Sequence, residues 1–177
     1  MKLFICSDIH GSAFFCEQML TAFEKEKADR LILLGDLLYH GPRNDLPRGY
    51  DPKKVAQMLN AHADVIFAVR GNCDGEVDSM VLDFPIMSDY FLTFDGDKTL
   101  FFTHGHVFSP EKLPTLAENT FFISGHTHVP IRKNVNGIVC LNPGSVSIPK
   151  ENSSCGYIIY ENGIFVHHDL HMNIINI

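Results

Sequence analysis

Chemistry is concentrated in five short clusters of metal-binding side chains, each following an apolar run and each close to a glycine. They are Asp8-Ile9-His10, Gly35-Asp36, Gly71-Asn72-Cys73-Asp74, Thr103-His104-Gly105-His106 and Gly125-His126-Thr127-His128. In extended backbone, residues i and i+2 share a face. Asp8 with His10, His104 with His106, and His126 with His128 can therefore each present two side chains in one direction. Carboxylate and imidazole without thiolate suit Mn, Fe, Zn or Ni better than Ca or a structural zinc. Six or seven such ligands exceed what one ion takes. Two ions held about 3.5 to 4 Å apart need a shared ligand, and a carboxylate with two oxygens is the natural bridge.

Such clusters need strand ends to carry them. Lys2 to Cys6 reads as a strand, followed by a helix from about Ser12 to Lys27 with Phe15, Met19 and Phe23 on one face. Leu31 to Leu34 is fully apolar, as expected of a strand covered on both faces. Past the Gly/Pro/Arg-rich loop from His40 to Tyr50, Asp51 and Pro52 supply the N-cap and first turn of a helix through His62. Val65 to Val69 reads as a third strand. This βαβαβ order predicts a parallel sheet with its ligands at the carboxyl ends of the strands. After about Asp83, the turn dipeptides Asp95-Gly96, Asn136-Gly137 and Asn162-Gly163 predict that antiparallel strands dominate. No repeat, low-complexity tract or linker marks a boundary, so residues 1–177 read as a single α/β domain with a parallel and an antiparallel half.

At 45% hydrophobic and 20% charged residues, the chain has the means to bury its own core and is too apolar for disorder. Its net charge of −7 argues against tracking along a long nucleic acid, whose phosphates it repels. The N-terminal apolar run is too short for a signal-peptide core, and no run approaches the roughly 20 residues of a membrane span. Five cysteines, widely spaced and without a CxxC pair, suggest neither a disulfide framework nor a thiolate zinc site. A cytoplasmic protein with no membrane association is expected. Of the ten histidines, His167, His168 and His171 follow no apolar strand end and read as a surface strand or tail without function.

The order D-x-H at 8–10, G-D ending at 36, G-N-x-D at 71–74, H-G-H at 104–106 and G-H-x-H ending at 128 resembles the calcineurin-like metallophosphoesterase superfamily. Gly71-Asn72-Cys73-Asp74 and Asn142-Pro143-Gly144-Ser145-Val146-Ser147 resemble its small bacterial YfcE-type phosphodiesterase branch. The resemblance implies two mixed β-sheets packed as a sandwich flanked by helices. It implies that Asp8, His10 and His128 bind one divalent ion, that Asp36 bridges, and that Asn72, His104 and His126 bind a second. Mn²⁺ is the leading candidate, with Zn²⁺, Fe²⁺ or Ni²⁺ as alternatives. The implied reaction is hydrolysis of a small phosphate diester by a metal-bridged hydroxide. Two ions, two carboxylates and that hydroxide leave a local charge of about +1, which attracts a phosphoryl group despite the acidic chain.

Arg43, in the loop shortly after Asp36, is the candidate substrate contact, as a bidentate donor to a phosphoryl oxygen. Cys73 is the departure from the pattern. Many superfamily members carry histidine there, which protonates the leaving oxygen or steadies the transition state while the acidic neighbour orients it. A thiol cannot act as an imidazolium does. The catalytic candidates are thus Asn72, Cys73 and Asp74, with His40 or His106 as replacements for the missing acid, and aryl diesters should react faster than alkyl ones. Asn142 to Ser145 reads either as a mere turn or as packing behind the metal edge. Two alternatives stand beside the diesterase: a phosphomonoesterase using the same metals, and a non-catalytic scaffold like the retromer subunit of this fold. A scaffold can lose ligands, whereas all seven positions are filled here. A homo-oligomer is expected from an apolar face on so small a domain.

Overall fold

The computed structural model describes residues 1–177. Strands Lys2–Cys6 (β1), Arg30–Leu33 (β2) and Ile66–Ala68 (β3) alternate with helices Ala13–Glu26 (α1) and Pro52–Asn60 (α2), the βαβαβ order expected from the sequence. The Ser12 hydroxyl caps α1 by accepting from the Phe15 N–H, and Asp51 caps α2 by accepting from the Lys54 N–H. Each cap satisfies an N–H that helix geometry leaves without an intrahelical partner. Seven strands follow: Tyr90–Asp95 (β4), Lys98–Thr103 (β5), Thr120–Ile123 (β6), Pro130–Val135 (β7), Ile138–Pro143 (β8), Gly156–Glu161 (β9) and Ile164–Asp169 (β10).

Two five-stranded sheets result, in the orders β10-β9-β1-β2-β3 and β4-β5-β6-β8-β7. The hairpins β4–β5, β7–β8 and β9–β10 turn where the Asp-Gly and Asn-Gly pairs place them. Antiparallel ladders predominate after Asp83, as expected, but not exclusively: β5 with β6 and β6 with β8 run parallel. A turn dipeptide reports only its own hairpin, and the crossovers that make parallel neighbours leave no such mark. Nor does the chain divide into a parallel and an antiparallel half, because β9 and β10 return to the first sheet and pair beside β1.

Alternation along β1 separates two layers of core. Phe4 and Cys6 face α1 and α2, while Leu3 and Ile5 face the second sheet and meet Leu100, Phe102, Ile123 and Leu141. Truncating any one of these buried aliphatic residues to Ala costs about 2–5 kcal/mol. Both helices cover the first sheet. The outer face of the second sheet, with Phe101, Phe122, Ile138 and Cys140, is covered by Phe108, Leu113 and Leu116 from the irregular segment after β5. No helix is long and apolar enough to cross a membrane.

One sequence expectation is corrected in β10. His167 and His168 belong to this strand, and His167 is only 5% exposed. Its Nε2 donates to the Asn142 carbonyl of β8, tying the two sheets together. Period-two alternation with Phe165 is what turns His167 inward. His171 is exposed, as expected.

Candidate metal centre

The five clusters of the sequence meet at one place, beyond the carboxyl ends of β1, β2, β3, β5 and β6. Turning sharply off a strand needs unusual backbone, and five of the residues concerned lie in the left-handed region: Asp8 (φ 60°), His10 (φ 50°), Asp36 (φ 55°), His126 (φ 70°) and His128 (φ 62°). Asp and His tolerate that region better than bulky residues do. Two glycines let the loops close in. A Cβ on Gly71 would run into the backbone and carboxylate of Asp36, and one on Gly125 into Ser7 and Asp8.

Three imidazoles are fixed in the same way. Nδ1 of His10, His104 and His128 lies 2.8, 2.7 and 2.8 Å from the carbonyls of Tyr39, Leu34 and Ile148. A carbonyl only accepts, so Nδ1 carries the proton in each ring and Nε2 is left to face the cluster. His10 Nε2 and His128 Nε2 then sit 3.2 Å apart, and 3.4 and 3.2 Å from Asp8 Oδ1. His104 Nε2 faces Asn72 Oδ1 at 3.1 Å and His126 Nδ1 at 3.2 Å. Asp36 Oδ2 lies between the two groups, 3.7 Å from His10 Nε2 and 3.5 Å from His104 Nε2. Lone pairs converging at such distances need a cation between them, and the donor set fits a borderline transition metal. Burial acts to raise the Asp8 carboxyl, but the hydrogen bonds of His10 and His128 outweigh it and hold Asp8 well below the usual carboxylate range.

Further side chains hold these ligands in position. Asp74 is buried with its carboxylate fully engaged by backbone: Oδ2 accepts from the N–H groups of Asp36 and Gly71, and Oδ1 from that of Leu37. The sequence reading gave Asp74 the task of orienting its neighbour in the reaction; its position instead locks the strand ends around Asp36. The Cys73 N–H donates to Asp36 Oδ1, which leaves Oδ2 free for the cluster. Asn142 to Ser147 is more than a turn. Ser145 and Ser147 hydroxyls both donate to the Asp8 carbonyl, and Asn142 Nδ2 donates to the Gly125 carbonyl.

Beside the cluster lies a cleft of about 430 Å³, whose wall includes Arg43, Asn44, Asn72, Cys73, Thr127 and Lys150. Arg43 therefore faces the cleft that opens onto Asp36, His126 and His128. Lys150 was missed by the sequence reading, since nothing in its neighbourhood marks it. It is brought there by its own N–H, which bonds the His128 carbonyl. Burial, with the negative charge of Asp36 next, pushes the Cys73 thiol far up, so it stays protonated. His106 packs against His104 with ring centroids 5.3 Å apart, and burial together with His104 and His126 lowers its pKa. His40 is not brought to the cleft wall; its ring packs edge-on against Tyr39 and Tyr50.

Comparison with known proteins agrees with this geometry. The calcineurin-like phosphoesterase superfamily domain matches residues 1–162. The phosphodiesterase YfcE of Escherichia coli strain K12 is 48% identical over 164 residues, which are 93% of this chain and 89% of that protein. The solved structure of YfcE, a phosphoesterase from E. coli, superposes with a TM-score of 0.96 at 46% identity, covering 99% of this chain and 97% of the other. An archaeal phosphodiesterase shares the fold, with a TM-score of 0.65 at 22% identity over 99% of this chain and 100% of its own. With its match running through all five strand-end clusters, the chain belongs to the calcineurin-like phosphoesterase superfamily.

Proposed function

We propose that this chain is a metal-dependent phosphodiesterase acting on small phosphate diesters through a single domain spanning residues 1–177. The observation that carries the reading is the pair of inward-facing donor groups sharing Asp36 Oδ2. Asp8, His10 and His128 would hold one divalent ion, Asn72, His104 and His126 a second, and Asp36 both, with Mn²⁺ the leading candidate. Bound there, divalent ions polarise phosphoryl oxygens and lower the pKa of water toward neutrality.

The remaining work belongs to the chain. Arg43 offers the phosphoryl oxygens a planar fork of donors from the cleft wall, and Lys150 adds a second positive charge. Asn72 Nδ2 donates to Cys73 Sγ, which directs Oδ1 of the same amide toward His104. Cys73, kept as a neutral thiol, is a weak proton donor. The site therefore suits leaving groups that depart as stable anions, aryl before alkyl. The five cysteines are all free, as in a protein kept reduced, and the cytoplasm is the compartment we assign.

The test is hydrolysis of aryl and alkyl mono- and diesters by Mn²⁺-loaded protein, with metal content measured alongside. Diesters should be hydrolysed faster than the matching monoesters, and Asp36→Ala should lose bound metal and at least about 100-fold in rate, beyond the 10- to 100-fold of an outlying metal contact. Preference for monoesters would overturn the diester reading. An Asp36→Ala protein with full metal and activity would overturn the metal centre.

A further inference from the structure

Two cations reach the cleft beside the metal centre from separate segments. The Arg43 loop is closed by Asn44, whose Nδ2 donates to the His40 carbonyl at 2.8 Å, and it lies so near Cys73 that a Cβ on Gly41 would come within 3.0 Å of the sulfur. Lys150 is anchored at both of its main-chain groups: its N–H donates to the His128 carbonyl, and its carbonyl accepts from the Ser153 N–H and hydroxyl. Both side chains line the cleft. Neither is paired with a carboxylate, because the Lys and Arg ion pairs of the protein are Lys2 with Glu26, Arg70 with Asp89 and Lys133 with Glu111. In a chain of net charge −7, two uncompensated cations on one small wall mark a place for an anion. The wall carries no Phe or Tyr on which a nucleobase could stack, so recognition there falls on charge.

Charge separates the candidate substrates. A simple phosphate diester carries one negative charge, which the local charge of about +1 at an occupied metal centre already matches. Arg43 and Lys150 add two positive charges that such a diester leaves unanswered. We propose that the substrate is a diphosphate diester, two phosphoryl groups joined through one oxygen and each esterified once, with one phosphoryl group at the strand-end cluster and the other against Arg43 and Lys150. This rests on the phosphodiesterase reading and names the substrate class of that same site.

Cleavage falls on the bridge between the phosphoryl groups. The oxygen of one water bonds to the first phosphorus, the bond from that phosphorus to the bridging oxygen breaks, and the bridging oxygen keeps the electron pair. Both protons of the water pass to solvent, and the products are two phosphate monoesters, each a dianion. The departing dianion is matched in charge by Arg43 and Lys150 together. Its conjugate acid has a pKa of about 6, so at neutral pH the leaving oxygen needs no proton. An alkyl diester instead expels an alkoxide, which a weak donor such as the Cys73 thiol protonates poorly. The missing acid and the surplus cations thus share one explanation.

Mn²⁺-loaded protein should cleave symmetrical dimethyl diphosphate to methyl phosphate alone, without methanol. The rate should exceed that on dimethyl phosphate by at least about 100-fold, the least that a positioned general acid contributes. Arg43→Ala and Lys150→Ala should each lower the ratio of kcat/KM for the diphosphate to that for a diaryl phosphate by at least about tenfold, the worth of one hydrogen bond to a charged group. Lys150→Arg should restore the ratio, since a guanidinium keeps the charge but does not give up a proton. In titration calorimetry the methylene-bridged analogue, which lacks the cleavable oxygen, should bind wild type at least about tenfold more tightly than Lys150→Ala. An unchanged ratio in both alanine variants, equal affinity for the analogue, or hydrolysis of the diaryl phosphate without the diphosphate would overturn the proposal, the last while leaving the phosphodiesterase reading intact. Hydrolysis of neither substrate would overturn both.

Discussion

Asp74 illustrates what a single side chain does here that its neighbours in sequence do not announce. Its two oxygens take three buried N–H groups, two of them from Asp36 and Leu37 at the end of β2. Removing it leaves these donors without acceptors, and an unsatisfied buried donor costs about 1–3 kcal/mol. Asp74→Ala should therefore lose roughly 3 kcal/mol or more in denaturant unfolding and bind less metal; Asp74→Asn should lose less. Cys73→Ser removes only the thiol, because the bond to Asp36 Oδ1 comes from the backbone. It should keep its metal and lose less than about tenfold in aryl diester hydrolysis, well short of the 10²–10⁴ of a positioned general acid. An unchanged rate would take the thiol out of the reaction. At this scale the ligand residues were legible, since type, order and glycine spacing converge on one reading. Roles were less so: sequence says that Asp74 is a carboxylate, but not that its oxygens point at backbone, nor that the His40 ring turns toward tyrosines.

Elements were legible where their signals are local. The first five owe their limits to caps and unbroken apolar runs, and three hairpins to their turn dipeptides. The parallel neighbours of β6, and the return of β9 to the first sheet, depend on contacts far apart in sequence and were not readable from any one segment. The inward turn of His167 in β10 belongs to the same class, and it has a measurable consequence. Burial, opposed by the bond to the Asn142 carbonyl and aided by Arg132 and His168, lowers its pKa to about 4. In the unfolded chain it titrates near 6.5. Between those values the unfolded state binds more protons, so stability present at neutral pH is lost as pH falls from about 6.5 to about 4. The loss is up to about 3 kcal/mol. His167→Gln, which keeps a donor near Nε2, should flatten that part of the curve in denaturant unfolding of chelator-treated protein from pH 4 to pH 7. An identical slope in the variant would show that other groups carry it.

For the molecule as a whole, Asp8 and Asp36 are 0% and 2% exposed, so a cation at the strand ends contributes to folding as well as to reaction. A ligand present at 100 times its Kd stabilises the native state by about 2.7 kcal/mol. In a protein of this size that is roughly 5–10 °C in Tm, and chelation should lower the melting temperature by this amount in a scanning experiment. Re-addition of Mn²⁺ should restore it. The sheet order also imposes a timetable. β1 lies inside the first sheet, with β2 on one side and β9 on the other. A ribosome adds about 5–20 residues per second, so the first strand waits on the order of ten seconds or more for the last but one. Until then the Leu3 and Ile5 face of the newborn chain has an open flank, although every metal-binding residue through His128 has already been made. Assembly must therefore close from both termini at once, and the half-made protein is the form most in need of a chaperone.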